Sequence, residues 1–239
     1  MNSIQKTARM GGLLYLLLIL AGMFAEIFVR GKLIVAGDAI ATANNIMASQ
    51  FLWRMGIVAD LVMHLCDVPI MLIIYILLRP VNKNLALLAL LFNLVQTAVL
   101  VSNKLNLIAA LFPLGNADYL KAFEPNQLYT QVYLSLKLHE YGFGVGLIFF
   151  DFTCLVNGYL IFRSVYLPRI IGCLLQIAGL CYLINSFSLL LAPKFAGMIF
   201  PAIMAPSFIA ELSFCLWLIV KGVNVPKWET RAGINPAIL

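Results

Sequence analysis

The chain has 239 residues, of which 63% are hydrophobic and only 11% charged, with a formal net charge of +6 and a mean hydropathy of +0.98. Soluble domains carry about 25% charged residues, so this composition excludes an ordinary water-soluble domain and a disordered chain. It also excludes a disulfide-stapled secreted scaffold, and its scattered Lys and Arg are too few to track the phosphates of a nucleic acid.

Six apolar runs are long enough for a helix to cross about 30 Å of hydrocarbon. They cover residues 11–29, 55–78, 85–112, 141–162, 170–192 and 198–220, more than half of the chain. The fold class expected is all-α: a polytopic membrane bundle of six transmembrane helices plus one or two outer interfacial helices. Residues 1–224 form a single transmembrane domain and 225–239 a short cytoplasmic tail. Lys6 and Arg9 precede the first run as they would in a secretory signal. The run is too long for a signal core and no small-x-small site follows, so an uncleaved first helix is preferred.

Two connectors exceed simple turns. Residues 38–52 bring Ile40, Ala43, Met47 and Phe51 near one helical face before Trp53. Residues 125–136 open on the helix-starting Pro125 and align Leu128, Val132 and Leu136. Both read as helices lying in the interface, with Trp53, Tyr129 and Tyr133 suited to the headgroup layer. The five cysteines, Cys66, Cys154, Cys173, Cys181 and Cys215, fall inside the runs as small hydrophobes and imply no disulfide or metal framework.

The basic residues set a direction. Nine lie in the N-terminus (Lys6, Arg9), two short connectors (Arg79, Lys83, Arg163, Arg169) and the tail (Lys221, Lys227, Arg231). Six lie on the other side, at Arg30, Lys32, Arg54, Lys121, Lys137 and Lys194, diluted by Asp38, Asp118 and Glu124. The positive-inside rule therefore places both termini in the cytoplasm of a cell-membrane, multi-pass protein.

Ionisable residues inside the runs are the informative feature. Glu26, Asp60, Asp67, Glu140, Asp151 and Glu211 lie within or beside them, with Lys104, His64 and His139. A charge at a helix centre costs about 2.5–3.5 kcal/mol even on the lenient insertion scale, so such groups face protein or water. Asp60, His64 and Asp67 follow an i, i+4, i+7 spacing and share one helix face. Glu140 and Asp151 are three turns apart on another helix, with Gly142, Gly144 and Gly146 between them. Asn93, Gln96, Asn103 and Lys104 mark a third helix, with Asn106 beside them, and Pro201 and Pro206 precede Glu211. Depth along the runs puts Glu26, Asp60, His64, Lys104 and Glu140 in the outer half and Asp67, Asp151 and Glu211 nearer the middle. Lys104 is the expected counter-ion of Asp60, Glu26 or Glu140. The ligand-binding candidates are Asp60, His64, Asp67, Asn103, Lys104, Glu140, Asp151 and Glu211.

No catalytic motif accompanies them. HExxH and GxSxG are absent, and Ser102 is i, i+2 from Lys104, the wrong spacing for a shared face. The Gly142–Gly146 stretch lies in an apolar helix and is no phosphate cradle. No metal or cofactor is implied.

The ordered blocks ARMGGLLYLL, AEIFVRGKLIV, FLWRMGIVADLV, LLRPVNKNLALLALLFNLVQ, LHEYGFGVGLIFF, LPRIIGCLLQIAGLCYLINSF and ELSFCLWLIVKG resemble a bacterial integral-membrane family known as domain of unknown function 4386. The resemblance covers about residues 8–224. It implies a multi-helix membrane protein and carries over no activity or residue role. In similar sequences Gly, and sometimes His, often follows the paired phenylalanines, where this chain has Asp151.

The function expected is binding or passage of a small solute, ion or proton through an outward-facing polar cavity. An intramembrane enzyme acting on a lipid or lipid-linked substrate and a non-catalytic partner of a membrane complex are the alternatives. Six helices without a clear internal repeat count against a secondary transporter. The partners expected are the lipid bilayer and a small-molecule or ion ligand, with no nucleic acid.

Overall fold

The computed structural model describes residues 3–233; residues 234–239 of the expected tail lie outside them. Every element among the described residues is helical. We number α1 Ser3–Leu33, α2 Ala39–Ala48, α3 Gln50–Leu78, α4 Lys83–Ala109, α5 Pro125–Arg163, α6 Arg169–Leu191, α7 Pro193–Ile199, α8 Ala205–Val220 and α9 Val225–Ala232. Six of these, α1, α3, α4, α5, α6 and α8, belong to segments long and apolar enough to cross a bilayer. The chain is therefore a multi-pass membrane protein of the expected all-α class.

Two local departures from the sequence reading have physical causes. Residues 125–136 are not a separate interfacial helix but the opening turns of α5, which runs unbroken to Arg163. No proline interrupts this stretch after Pro125, and the stripe that buries Val132 and Leu136 continues straight into the apolar run. Trp53, expected to offer its indole to the headgroup layer, turns it into the protein instead. It is 1% exposed, and its indole N–H donates to the Leu107 carbonyl at 3.1 Å, so its polar edge is satisfied inside the protein.

The helices contribute to two compact units, one formed by Met1–Leu17, Cys66–Thr97 and Gly144–Leu239, the other by Leu18–Leu65 and Ala98–Phe143. In the first unit, α5 and α6 meet backbone to backbone. A Cβ added at Gly158 would lie 2.7 Å from the Gly172 carbonyl oxygen, and one at Gly172 would lie 2.6 Å from that of Gly158. Only glycine on both sides permits this approach, which supplies the van der Waals contact that holds helices together where lipid is as apolar as leucine. Polar latches close the helix ends. The Tyr166 hydroxyl donates to the Leu77 carbonyl at 2.6 Å, and burial raises its pKa above the ordinary phenol value. The Trp228 indole donates to the same carbonyl at 3.0 Å and anchors α9. The Gln5 side chain donates to the Lys221 carbonyl at 2.7 Å and accepts from the Val223 N–H at 3.0 Å.

The second unit has an apolar core of Val29, Leu33, Ile46, Trp53, Ile57, Leu107, Ala110, Leu111, Val132 and Leu136. Asp38 caps α2 by accepting from the Ala41 N–H at 2.8 Å. Of the stripe read on residues 38–52, Ala43 is buried with Thr42 and Ile46, while Ile40, Met47 and Phe51 are exposed.

Candidate functional site

A buried charge cluster organises the second unit. A seven-residue π-helical segment, Phe24–Arg30, precedes the last turn of α1 and carries both Glu26 and Arg30. The Arg30 guanidinium grips Asp60 with both terminal nitrogens, at 2.6 Å to Oδ2 and 3.2 Å to Oδ1, while its Nε reaches Glu26 at 2.7 Å. Such two-pronged pairing is the strongest form of Arg–carboxylate contact. From α4, Lys104 Nζ approaches Asp60 Oδ2 at 3.3 Å and lies 5.9 Å from the centre of the Phe143 ring. Asp60 is 0% and Lys104 2% exposed, whereas the Glu26 side chain is 64% exposed. The cluster thus sets two cations, Arg30 and Lys104, against two carboxylates, with Glu26 on Arg30 at the exposed end and Lys104 facing only Asp60 at the buried end.

Two histidines surround this cluster. His64, one turn after Asp60 on α3, is buried with no hydrogen-bond partner at Nε2. Asn103 Nδ2 donates to the His139 carbonyl at 2.9 Å and lies 3.1 Å from His139 Nδ1. Asn106 donates to Asn103 Oδ1 at 2.8 Å. An ammonium with three donors and a single carboxylate oxygen nearby, beside an unpartnered imidazole nitrogen, presents polar capacity that the protein itself leaves unused.

The acids of the first unit have different surroundings. Asp67 Oδ2 accepts from Asn93 Nδ2 at 3.0 Å and from the Thr97 hydroxyl. Glu211 accepts from the hydroxyls of Tyr15, at 3.2 Å, and Tyr182. Asp151 is 0% exposed, and neither carboxyl oxygen has a hydrogen-bond partner. Glu211, Asp151 and Asp67 all lie within electrostatic reach of the buried Cys154 thiol. The partners of these acids among the described residues are hydroxyls and an amide, in contrast to the guanidinium and ammonium around Asp60.

The family model described as Domain of unknown function (DUF4386) matches residues 10–222. The chain belongs to this family. A relative in Archaeoglobus fulgidus, named only as an uncharacterized protein, is 30% identical over 167 residues, covering 70% of this chain and 83% of its own length. No solved structure matches the chain.

For this DUF4386 chain, the eight sequence candidates are distributed between the two units. Asp60, His64, Asn103, Lys104 and Glu140 belong to the second, and Asp67, Asp151 and Glu211 to the first. Lys104 lies beside Asp60, one of the three expected pairings, but as the second cation there, Arg30 being the nearer partner. Glu140 pairs instead with Lys137 at 2.7 Å, both side chains being about half exposed. Among the described residues no group of three or more His, Cys, Asp or Glu is placed to hold a metal ion. Four side chains that partner the buried acids were missed by sequence reasoning: Arg30, Thr97, Tyr15 and Tyr182. Arg30 stands four residues after Glu26, and that spacing was the available signal. The tyrosines were read as part of apolar runs, although a carboxyl inside a span needs donors and tyrosine is one of the few that apolar helices carry.

Proposed function

We propose that this protein binds a small anionic solute, of the size of a short carboxylate, at the Arg30–Asp60–Lys104 cluster. His64 and Asn103 complete the polar lining. The protein sits in the cell membrane with both termini in the cytoplasm, an orientation supported by the nine basic residues at its ends and short connectors. The cluster then lies in the half of the protein nearer the opposite side. The observation that carries this reading is the buried Lys104 ammonium, which has one acceptor at 3.3 Å for its three donors. Arg30 already satisfies Asp60 through both terminal nitrogens, so Lys104 is the group free to receive a second anion.

The test is thermal stabilisation of purified protein by acetate, lactate and inorganic phosphate at constant ionic strength. A ligand that binds only the folded state raises the melting temperature in a concentration-dependent way. A saturable rise with the carboxylates in wild type, absent in Lys104→Met and retained in Glu140→Gln, is expected. A response that survives Lys104→Met refutes the assignment.

A further inference from the structure

The first unit holds a second polar centre that the anion-binding reading does not use. Its seam is the contact between α5 and α6. Gly179 of α6 packs against the Asp151 carbonyl and the Leu155 side chain, and Gly144 of α5 against Leu189. Asp151 projects two unpartnered carboxyl oxygens from α5, completely buried. Ser186 lies seven residues after Gly179, hence on the same face of α6, and its hydroxyl oxygen is likewise fully buried and unpartnered. One turn before it, Tyr182 binds Glu211 of α8, with the Phe150 ring against its own. Asp67 of α3 lies within electrostatic reach of Glu211. The titratable groups gathered here are therefore Asp67 from α3, Asp151 and Cys154 from α5, Tyr182 from α6, Glu211 from α8 and Tyr15 from α1.

These groups have one chemical character. Every one is an acid, and the partners of Asp67 and Glu211 are neutral donors. Asp67 and Glu211 have their hydrogen bonds, but Asp151 has none, and oxygen atoms in such a place are stabilised by a cation at them. The small number of ligating carboxyl groups suits a singly charged cation, since divalent ions gather six or more oxygens.

We infer that Asp151 is the primary ligand of a monovalent-cation site, taking a sodium ion or a proton. Ser186 supplies a neutral oxygen on the same seam, and the Tyr-held Glu211 and the Asn93- and Thr97-held Asp67 contribute negative potential. The site is independent of Lys104, so a coupled loss is not expected.

The experiment uses the full chain in detergent, with radiolabelled sodium as the first probe and infrared spectroscopy of the carboxylic C=O stretch as the second. Saturable sodium binding that is weakened about tenfold or more by Asp151→Asn, and partly by Ser186→Ala, establishes the sodium form. If sodium does not bind, a C=O band that appears and disappears reversibly with pH in the folded protein, and is missing in Asp151→Asn, establishes the proton form. Three results overturn the site. One is sodium binding undiminished in Asp151→Asn. Another is the absence of both sodium binding and a band. The third is a band that persists at every pH at which the protein stays folded, since that marks a fixed structural carboxylic acid. Should Asp151→Asn not fold, the wild-type measurements and Ser186→Ala decide: unchanged sodium affinity in Ser186→Ala, or no reversible band where sodium is not bound, overturns it. The carboxylate-dependent melting shift in Asp151→Asn separates this site from the cluster at Lys104, because it survives there whichever way the cation result falls.

Discussion

The geometry around Asp60 predicts an order of stability losses that simple counting of ion pairs does not. Asp60→Ala removes the only buried carboxylate of the cluster and leaves Arg30 with Glu26 alone and Lys104 with none. Breaking a buried pair in this way costs about 3–5 kcal/mol, because a desolvated charge loses its partner. Arg30→Met leaves Asp60 only the 3.3 Å contact with Lys104 and costs less, about 2–4 kcal/mol on the same scale. Lys104→Met leaves the two-pronged Arg30–Asp60 pair whole and replaces a desolvated ammonium with an apolar side chain of similar length, so its cost is about 0–1 kcal/mol. Adding Lys104→Met to Asp60→Ala removes one orphaned charge and recovers about 1–3 kcal/mol, the coupling expected of residues in one network. Reversible unfolding in mixed micelles, followed through the fluorescence of Trp53 in the same unit, measures all four variants. Equal losses for Asp60→Ala and Lys104→Met, or strict additivity in the double variant, refute the claim that Lys104 is surplus to the structural pair. The order also separates stability from function, since Lys104→Met is the mildest variant in unfolding and the one that abolishes the carboxylate response.

Three further outcomes follow from named contacts. Trp53→Phe keeps most of the apolar volume but leaves the Leu107 carbonyl without its indole donor, for a loss of about 1–3 kcal/mol by micelle unfolding; no change means that carbonyl finds another donor. Gly172→Ala drives a methyl group into the Gly158 carbonyl and the Phe162 backbone, so it costs about 1–3 kcal/mol or more, whereas Gly197→Ala, where an added Cβ meets nothing within 4 Å, does not produce that loss. Tyr182→Phe withdraws one of two hydroxyl donors from Glu211 and costs about 1–3 kcal/mol, and pairing it with Glu211→Gln gives less than the summed losses. Additive values there would show that the tyrosine acts through packing alone.

How much of this was legible in the sequence depended on whether the signal was periodic. Six crossing-length helical segments and the i, i+4 relation of Asp60 to His64 survive, the sixth beginning at Ala202 instead of 198, because length and helical spacing are backbone properties that lipid and packing do not rewrite. Glu26, Asp60 and Glu140 belong to one unit, and Asp67, Asp151 and Glu211 to the other. Arg30 was not legible as the partner of Asp60. It follows the apolar run in sequence, where a basic residue reads as a loop charge, whereas α1 continues through a π-helical segment to Leu33 and carries the guanidinium with it. A π-helical turn advances by a wider hydrogen-bond step than 3.6-residue periodicity assumes, so no count along an ideal helix predicts where Arg30 points. The donors around Glu211 were hidden for another reason: tyrosine adds to apolar averages while carrying a hydroxyl, and only three-dimensional proximity shows that Tyr15 and Tyr182 spend theirs on one carboxylate. The same contrast explains why the acids cannot be read as one set. Asp60 is held by cations and Glu211 by neutral hydroxyls, so substitutions that look equivalent in sequence, Asp60→Asn and Glu211→Gln, remove different things: a countercharge to two cations in the first case, and the acceptor of one of two hydroxyls in the second.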